Sequence, residues 1–320
     1  MTNSNYLRGL TETGNGIYSY LQPDGSWGWS NSGLVFDSGE SLLIDTLFDA
    51  PLTREMLKQI KKAVGINGSD INSVVNTHAN GDHTHGNGLC PNAEIIASDA
   101  SSKEMNAFGP EQLRILMQNT DQLGETGNYL KQIFGSFDFG DVAERLPTRT
   151  FTGEYNLEVG RKKVTLKEVG PAHTRGDVLV FVDGNEAVYT GDILFIEGTP
   201  IMWAGPVSNW IRACDMIIDV SPKVIVPGHG PMTDTQGVKR VRSYLEYIHT
   251  EARTRFDAGM TVKETANDIA LSDFSSWTDA ERIIVNVDTL FKEYSGSSAT
   301  TDTLELFSLM AEFKKNHGKK

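Results

Sequence analysis

The chain has 320 residues, 39% of them hydrophobic, and carries 29 Lys and Arg against 42 Asp and Glu, a formal net charge of -13. That length supports a substantial core, and the acidic balance repels polyanions, which argues against nucleic-acid binding driven by phosphate contacts. Two cysteines, Cys90 and Cys214, exclude a disulfide framework and stand in no CxxC pair, and no run approaches the roughly 18 apolar residues of a membrane helix. The opening MTNSNYLRGL lacks the basic-then-apolar order of a secretory leader, so the expectation is a soluble cytoplasmic protein without a membrane partner.

GIYSYL and SGLVFD flank the turn-forming PDGSWGWSNS and read as antiparallel strands, with ESLLIDTL following after another turn. PLTREMLKQIKKAVGI places apolar residues at Leu52, Met56, Leu57, Ile60, Val64 and Ile66, which predicts a helix ending near Gly65. INSVVNT is too short for a helix and predicts a buried strand entering THANGDHTHGNG; AEIIAS predicts another, giving an α/β order. From Ser101 to Leu146 the pattern is helical and irregular, and fits either a lid or substrate-facing insertion or ordinary helical cover. Strand character returns in RTFTGEYNLEVG, KKVTLKEVG, DVLVFVDG and EAVYTGDILF, enough for a second sheet, before a helix from Val207 to Ile218 and the strand of PKVIVPGHG. VKRVRSYLEYIHTEARTRFDAG, TVKETANDIAL, WTDAERIIVNVDTLFKEY and TLELFSLMAEFKK are all helical in spacing. The division expected is a catalytic domain over residues 1–237 and a helical extension over 238–320 packed on it, with no long flexible linker between them. On that extension Ile283, Ile284, Val287, Leu290 and Phe291 serve either a homodimer interface or packing against their own domain. There is no Walker A motif, dinucleotide fingerprint or zinc-ribbon spacing.

Three of the seven histidines, His78, His83 and His85, fall within eight residues of THANGDHTHG, together with Asn80 and Asp82. Four segments put a ligand type at the end of a strand-like run: THANGDHTHG, VGPAHTRGD, VYTGDILF and VIVPGHG. A lone histidine after a strand is more often a core or surface residue than a ligand. Four such segments in one chain point to a metal centre, because imidazole and carboxylate are what zinc, manganese and iron accept.

The HxxxDH of His78, Asp82 and His83, with His173 in HTRGD, Asp192 in TGD and His229 in GHG, resembles the metallo-β-lactamase superfamily of metallohydrolases over roughly Gly16 to Met232. The resemblance implies an α/β fold of αββα type, two mixed sheets sandwiched between helices, with a one- or two-metal centre at one edge. It implies zinc, with manganese or iron as alternatives, and metal-bound hydroxide attacking a small-molecule substrate. It further implies that His78 and His173 match ligands of a first metal, that Asp82, His83 and His229 match ligands of a second, and that Asp192 bridges them. Asn80 departs from the usual HxHxDH, offering a neutral amide where that pattern has a third histidine, which weakens the first site. Among relatives this HxNxDH variant is similar to metallohydrolases that include a chlorothalonil hydrolytic dehalogenase; ester, lactone and hydrolytic dehalogenation chemistries all stay open.

Asp82 combines ligation with orienting or deprotonating the attacking water. His85 has three readings: ligand, acid near the leaving group, or support to a ligand from behind. Trp27 and Trp29 in the first turn, and Trp203 and Trp210 later, either line an apolar or aromatic-binding pocket or pack in the core. Two other functions stand beside the hydrolase: a non-haem iron oxidoreductase on the same fold, and a non-catalytic binding protein with a degraded metal site, prompted by Asn80.

Overall fold

A computed structural model describes residues 6–107, 109–141 and 145–317. The first sheet runs β1 (Gly9–Gly14), β2 (Ile17–Leu21), β3 (Ser32–Asp37), β4 (Glu40–Ile44), β5 (Ser73–Val75), β6 (Glu94–Ser98) and β7 (Arg149–Phe151), in spatial as well as chain order. Its first four strands form an antiparallel meander and the remaining pairings are parallel. The second sheet contains β8 (Glu154–Val159), β9 (Lys162–Glu168), β10 (Val178–Val182), β11 (Ala187–Tyr189) and β12 (Val224–Val226), antiparallel except where β12 lies parallel to β11.

Alternation along these strands sets the layers. On β10, Val178, Val180 and Val182 face Ile17, Val35, Leu42 and Ile44 of the first sheet, while Leu179 and Phe181 face outward to helices. On β4, Leu43 points away from the second sheet and meets Met56, Leu57 and Ile60. A strand buried on both faces is apolar at successive positions, which is why VLVFV and SLLI read as continuous runs.

Helices cover both outer faces. On the first sheet lies α1 (Ala50–Val64), started by Asp49, whose carboxylate accepts from the Leu52 amide at 2.8 Å, and stopped by Gly65 at φ 83. The short α2 (Gly81–Thr84) sits in the histidine-rich loop; α3 (Asp99–Ala107), α4 (Pro110–Gln118) and α5 (Gly124–Phe134) follow before β7. The second sheet is covered by α6 (Val207–Val220) and α7 (Thr235–Asp257), with α8 (Val262–Asp268), α9 (Ile283–Ser295) and α10 (Thr303–His317) packed in the same core. This is the layered α/β sandwich expected, with a helical C-terminal region.

Two expectations change in detail. RTFTGEYNLEVG divides between sheets, because the chain turns at Thr152 and Gly153 so that β7 completes the first sheet and β8 begins the second. The edge strand β1 carries only Leu10 as a large apolar residue, so hydrophobic pattern alone does not reveal it. Ile283, Ile284, Val287 and Leu290 are fully buried within their own chain, the packing alternative, while Phe291 is half-buried. No helix among the described residues is long and apolar enough to cross a membrane.

Candidate metal centre

Chain topology brings the candidates to one edge of the sandwich. β5 runs through Asn76 and Thr77 into His78 and α2, which carries Asp82 and His83; Asp192 follows β11, His229 follows β12, and His173 lies between β9 and β10. His78, Asp82, His83, His173, Asp192 and His229 are all buried. His83 Nε2 stands 3.1 Å from Asp192 Oδ1, and His229 Nε2 lies 3.2 Å from Asp82 Oδ2 and 3.4 Å from Asp192 Oδ2. His173 Nε2 is 3.4 Å and His78 Nε2 3.7 Å from Asp192 Oδ2, so this one carboxylate touches all four imidazoles.

The far nitrogen of each ring is fixed by another group. His83 Nδ1 is 2.9 Å from Asp45 Oδ2, His173 Nδ1 2.6 Å from the Ile201 carbonyl and His229 Nδ1 3.1 Å from the Gly25 carbonyl. The Thr77 hydroxyl donates to Asp45 Oδ2 at 2.7 Å, which leaves its oxygen to accept from His78 Nδ1 at 3.0 Å. Each ring therefore turns Nε2 inward, the tautomer that a metal needs. His78 Nε2, His83 Nε2 and Asp192 Oδ1 are fully buried and make no well-aligned hydrogen bond, the last two only lying side by side at 3.1 Å. Inward-facing donor atoms left unpaired in a dry site are costly unless a cation satisfies them, and imidazole with carboxylate is a donor set for zinc, manganese or iron. Their ligand atoms form two clusters within 4.8 Å: His78, His83 and Asp192, and Asp82, His83 and His229.

Electrostatics agree with a site built for positive charge. Burial opposes ionisation of Asp82, but His83 and His229 outweigh it and draw the carboxyl down to about 2. Burial likewise disfavours charged His229, yet Asp192 and Asp82 raise it to about 9. His78 is pushed well below the ordinary histidine range by burial and by the neighbouring His83. Without a metal, protons on His83 and His229 thus compensate the two carboxylates.

Asn80 sits beside His173 with its amide nitrogen 3.1 Å from Nε2. Because His173 Nδ1 faces the Ile201 carbonyl, Nε2 carries the lone pair and the Asn80 amide donates to it. His173 belongs to neither cluster of ligand atoms lying within 4.8 Å of one another, although its Nε2 is 3.4 Å from Asp192 Oδ2. His85 points elsewhere: it stacks on Phe48 at 5.6 Å, its Nδ1 is unpartnered, and burial takes it down to about 4, with nearby Asp82 pulling the other way. Any Cβ at Gly81 would come within 2.4 Å of the His85 ring, so that glycine makes room for it. Gly228 is under a tighter constraint, since a Cβ there would lie 2.0 Å from Asp192 Oδ1.

Asp82, Asp192 and His229 open into a cavity of about 860 Å³ whose walls include Trp27, Phe134, Trp203 and Phe307, with His85 and Asn80 near the metal-facing end. Trp27 and Trp203 line this cavity. Trp29 does not: it packs on Phe137 at 4.8 Å with the Arg8 guanidinium over its face. Nor does Trp210, wholly buried in α6 with its indole nitrogen donating to the Ile193 carbonyl. An amphipathic helix facing the core explains Trp210, whereas the turn that carries Trp29 has no such pattern. Exposed Arg175 lines the cavity beside Glu104, 3.5 Å away.

Two residues of the site carry no motif signal. Asp45, left-handed at φ 59 just after β4, holds both His83 and Thr77. Arg282 stacks its guanidinium 4.5 Å from the Trp27 ring and 5.2 Å from Phe195, which lies parallel to His229 at 5.0 Å. A terminal aspartate on an apolar strand was the available hint for the first; nothing local marks the second.

Comparison with known proteins agrees with this geometry. The profile of the Metallo-beta-lactamase superfamily matches residues 25–229, spanning all six converging residues. The chain belongs to the metallo-β-lactamase superfamily. It is 23% identical over 219 residues to the beta-lactamase-like protein 2 homolog of Caenorhabditis elegans, which covers 68% of this chain and 61% of that protein. The superfamily fold recurs in the sec-alkylsulfatase Pisa1 from Pseudomonas sp., with a TM-score of 0.67 at 16% identity, over 91% of this chain and 51% of that one. A metallo-beta-lactamase from Pontibacter korlensis matches with a TM-score of 0.55 at 17% identity, over 74% of this chain and 98% of its own. This chain therefore spans about half the length of the alkylsulfatase and less than two thirds of the nematode protein.

Proposed function

We propose that this member of the metallo-β-lactamase superfamily is a metal-dependent hydrolase of a small, apolar molecule carrying an ester, a lactone or a displaceable halide. The observation that carries the reading is the inward ring of Nε2 and carboxylate atoms, unpaired at His78, His83 and Asp192, opening directly into a large apolar cavity. Hydrolase names among the structural neighbours, an alkylsulfatase and β-lactamases, support the reaction class.

In this reading Asp82, His83, Asp192 and His229 hold one metal, zinc first among the candidates and manganese or iron next, and His78 turns a further nitrogen toward Asp192. A metal held there supplies Lewis acidity and water activated near neutral pH. Asp82 Oδ2, at the cavity edge, accepts the proton of the attacking water and orients it. His85 stays neutral at pH 7 and supports this end of the cavity through its stack on Phe48. Asp45 and the Ile201 and Gly25 carbonyls keep the rings oriented. Asn80 occupies the His173 lone pair, which favours one metal over two.

Aryl esters, lactones and chloroarenes tested against metal-loaded and chelator-stripped protein decide the matter. The proposal expects turnover of at least one class, abolished on stripping, restored by metal and reduced about 1,000-fold or more in Asp192→Asn. Turnover that survives both stripping and the substitution would overturn it.

A further inference from the structure

The far side of the cavity is built by segments distant in sequence, α4 and α5 on one flank and the first turns of α10 on the other. Phe307 of α10 reaches the floor, with its ring 5.9 Å from Trp27, 6.1 Å from Phe134 and 6.4 Å from Trp203. At the mouth, Ile115 of α4 is 48% exposed and Leu304 of α10 is 36% exposed, and both line the cavity. Among described residues the only other exposed large hydrophobic is Leu7, so two of the three stand on this single rim. Isolated apolar residues on a surface need no explanation; a pair facing one passage does.

α10 is a fixed wall. Lys314 pairs with the buried Glu281 at 2.9 Å, the same carboxylate that accepts from the Tyr129 hydroxyl of α5 at 3.0 Å. Glu312 pairs with Lys263 at 2.7 Å, and the Thr301 hydroxyl just before the helix donates to Asp288 at 2.8 Å. Glu104 and Asp302 also line the cavity, and Arg175 is engaged 3.5 Å from Glu104, so the outer end offers no surplus of positive charge to an anion.

We propose that this lobe binds the uncharged hydrocarbon chain of the substrate, running from the metal centre between α4 and α10, with Phe307 setting the chain length accepted. A compact ring seated at the metal centre would leave Ile115 and Leu304 in water, whereas a linear chain covers the whole passage. The orientation of the chain rests on the hydrolase reading, but chain binding itself needs no turnover.

The test is calorimetric titration of the metal-loaded full-length protein with linear primary alcohols from butanol to decanol, alongside hydrolysis of esters of matching acyl length. Affinity is expected to tighten up to about fourfold per methylene until the lobe is full, then level off. Leu304→Trp should move the levelling point to shorter chains and Phe307→Ala to longer ones. Should Phe307→Ala fail to fold, Leu304→Trp at its partly exposed position carries the test alone. No binding of any alcohol, or an unmoved levelling point in Leu304→Trp, overturns the inference even when esters are hydrolysed. Chain-length-dependent binding without hydrolysis of any ester upholds it and counts against the hydrolase reading instead.

Discussion

At the scale of single residues, the centre depends as much on what stands behind the histidines as on the histidines themselves. Asp45 fixes His83 directly and His78 through Thr77. Asp45→Ala should weaken metal binding about 10–100-fold in competition with a chromogenic chelator, and an unchanged affinity would remove Asp45 from the account. Proton linkage gives a second prediction. Burial disfavours charged His229, but Asp192 and Asp82 raise it from 6.5 to about 9, so the metal-free protein holds that proton at neutral pH. The stability it contributes is fully present below pH 6.5 and lost as pH rises through about 9. Metal must displace the proton, so apparent metal affinity should rise with pH up to about 9 and level off above it. Titrations in buffers of different ionisation enthalpy should show at least one proton released per metal near pH 7.5; none released would contradict the electrostatics. Of these residues, the six converging ones were legible in sequence because each ends a strand-like run in a ligand type. Asp45 was not, because its partners lie more than thirty positions away and an aspartate after a strand is common at turns.

At the scale of elements, short strands and well-capped helices carry the ligand loops. Asp49 starts α1 and also accepts from the Asp138 amide at 2.9 Å, tying the end of the 101–146 segment to the first sheet's helix. Asp49→Ala should cost about 1–2 kcal/mol in urea denaturation, a cap plus an amide left without its partner. A loss below about 0.3 kcal/mol would mean that neither contact contributes. Hydrophobic spacing reveals α1, α6, α7 and α9, because each buries an apolar face in a core cluster. It does not separate cavity wall from core: Leu113, Phe134 and Phe307 have the same spacing as residues packed on a sheet, and what distinguishes them is the space on their other side. Trp210 and Trp203 illustrate the same ambiguity, since one is sealed in α6 and the other lines the cavity.

At the scale of the whole molecule, the C-terminal helices and the sandwich form one core, and Arg282 is the tie nearest the centre. It donates to the Thr199 carbonyl at 3.0 Å, pairs with Asp279 at 3.2 Å and stacks on Trp27 and Phe195. Both charged side chains are almost wholly buried, so Arg282→Met leaves Asp279 uncompensated and should cost about 3–5 kcal/mol in chemical denaturation. Layer order was implied by the family resemblance of the motifs, while the joining of extension to site left no signal, because contacts across more than eighty positions leave no local pattern. The central claim is that the inward ring of imidazole and carboxylate atoms is a metal site, and metal content per chain tests it most directly. Elemental analysis of folded protein supplied with zinc, manganese and iron should find about one tightly held equivalent, lost in Asp82→Ala and raised toward two in Asn80→His. Folded protein that retains no metal under those conditions would contradict the account.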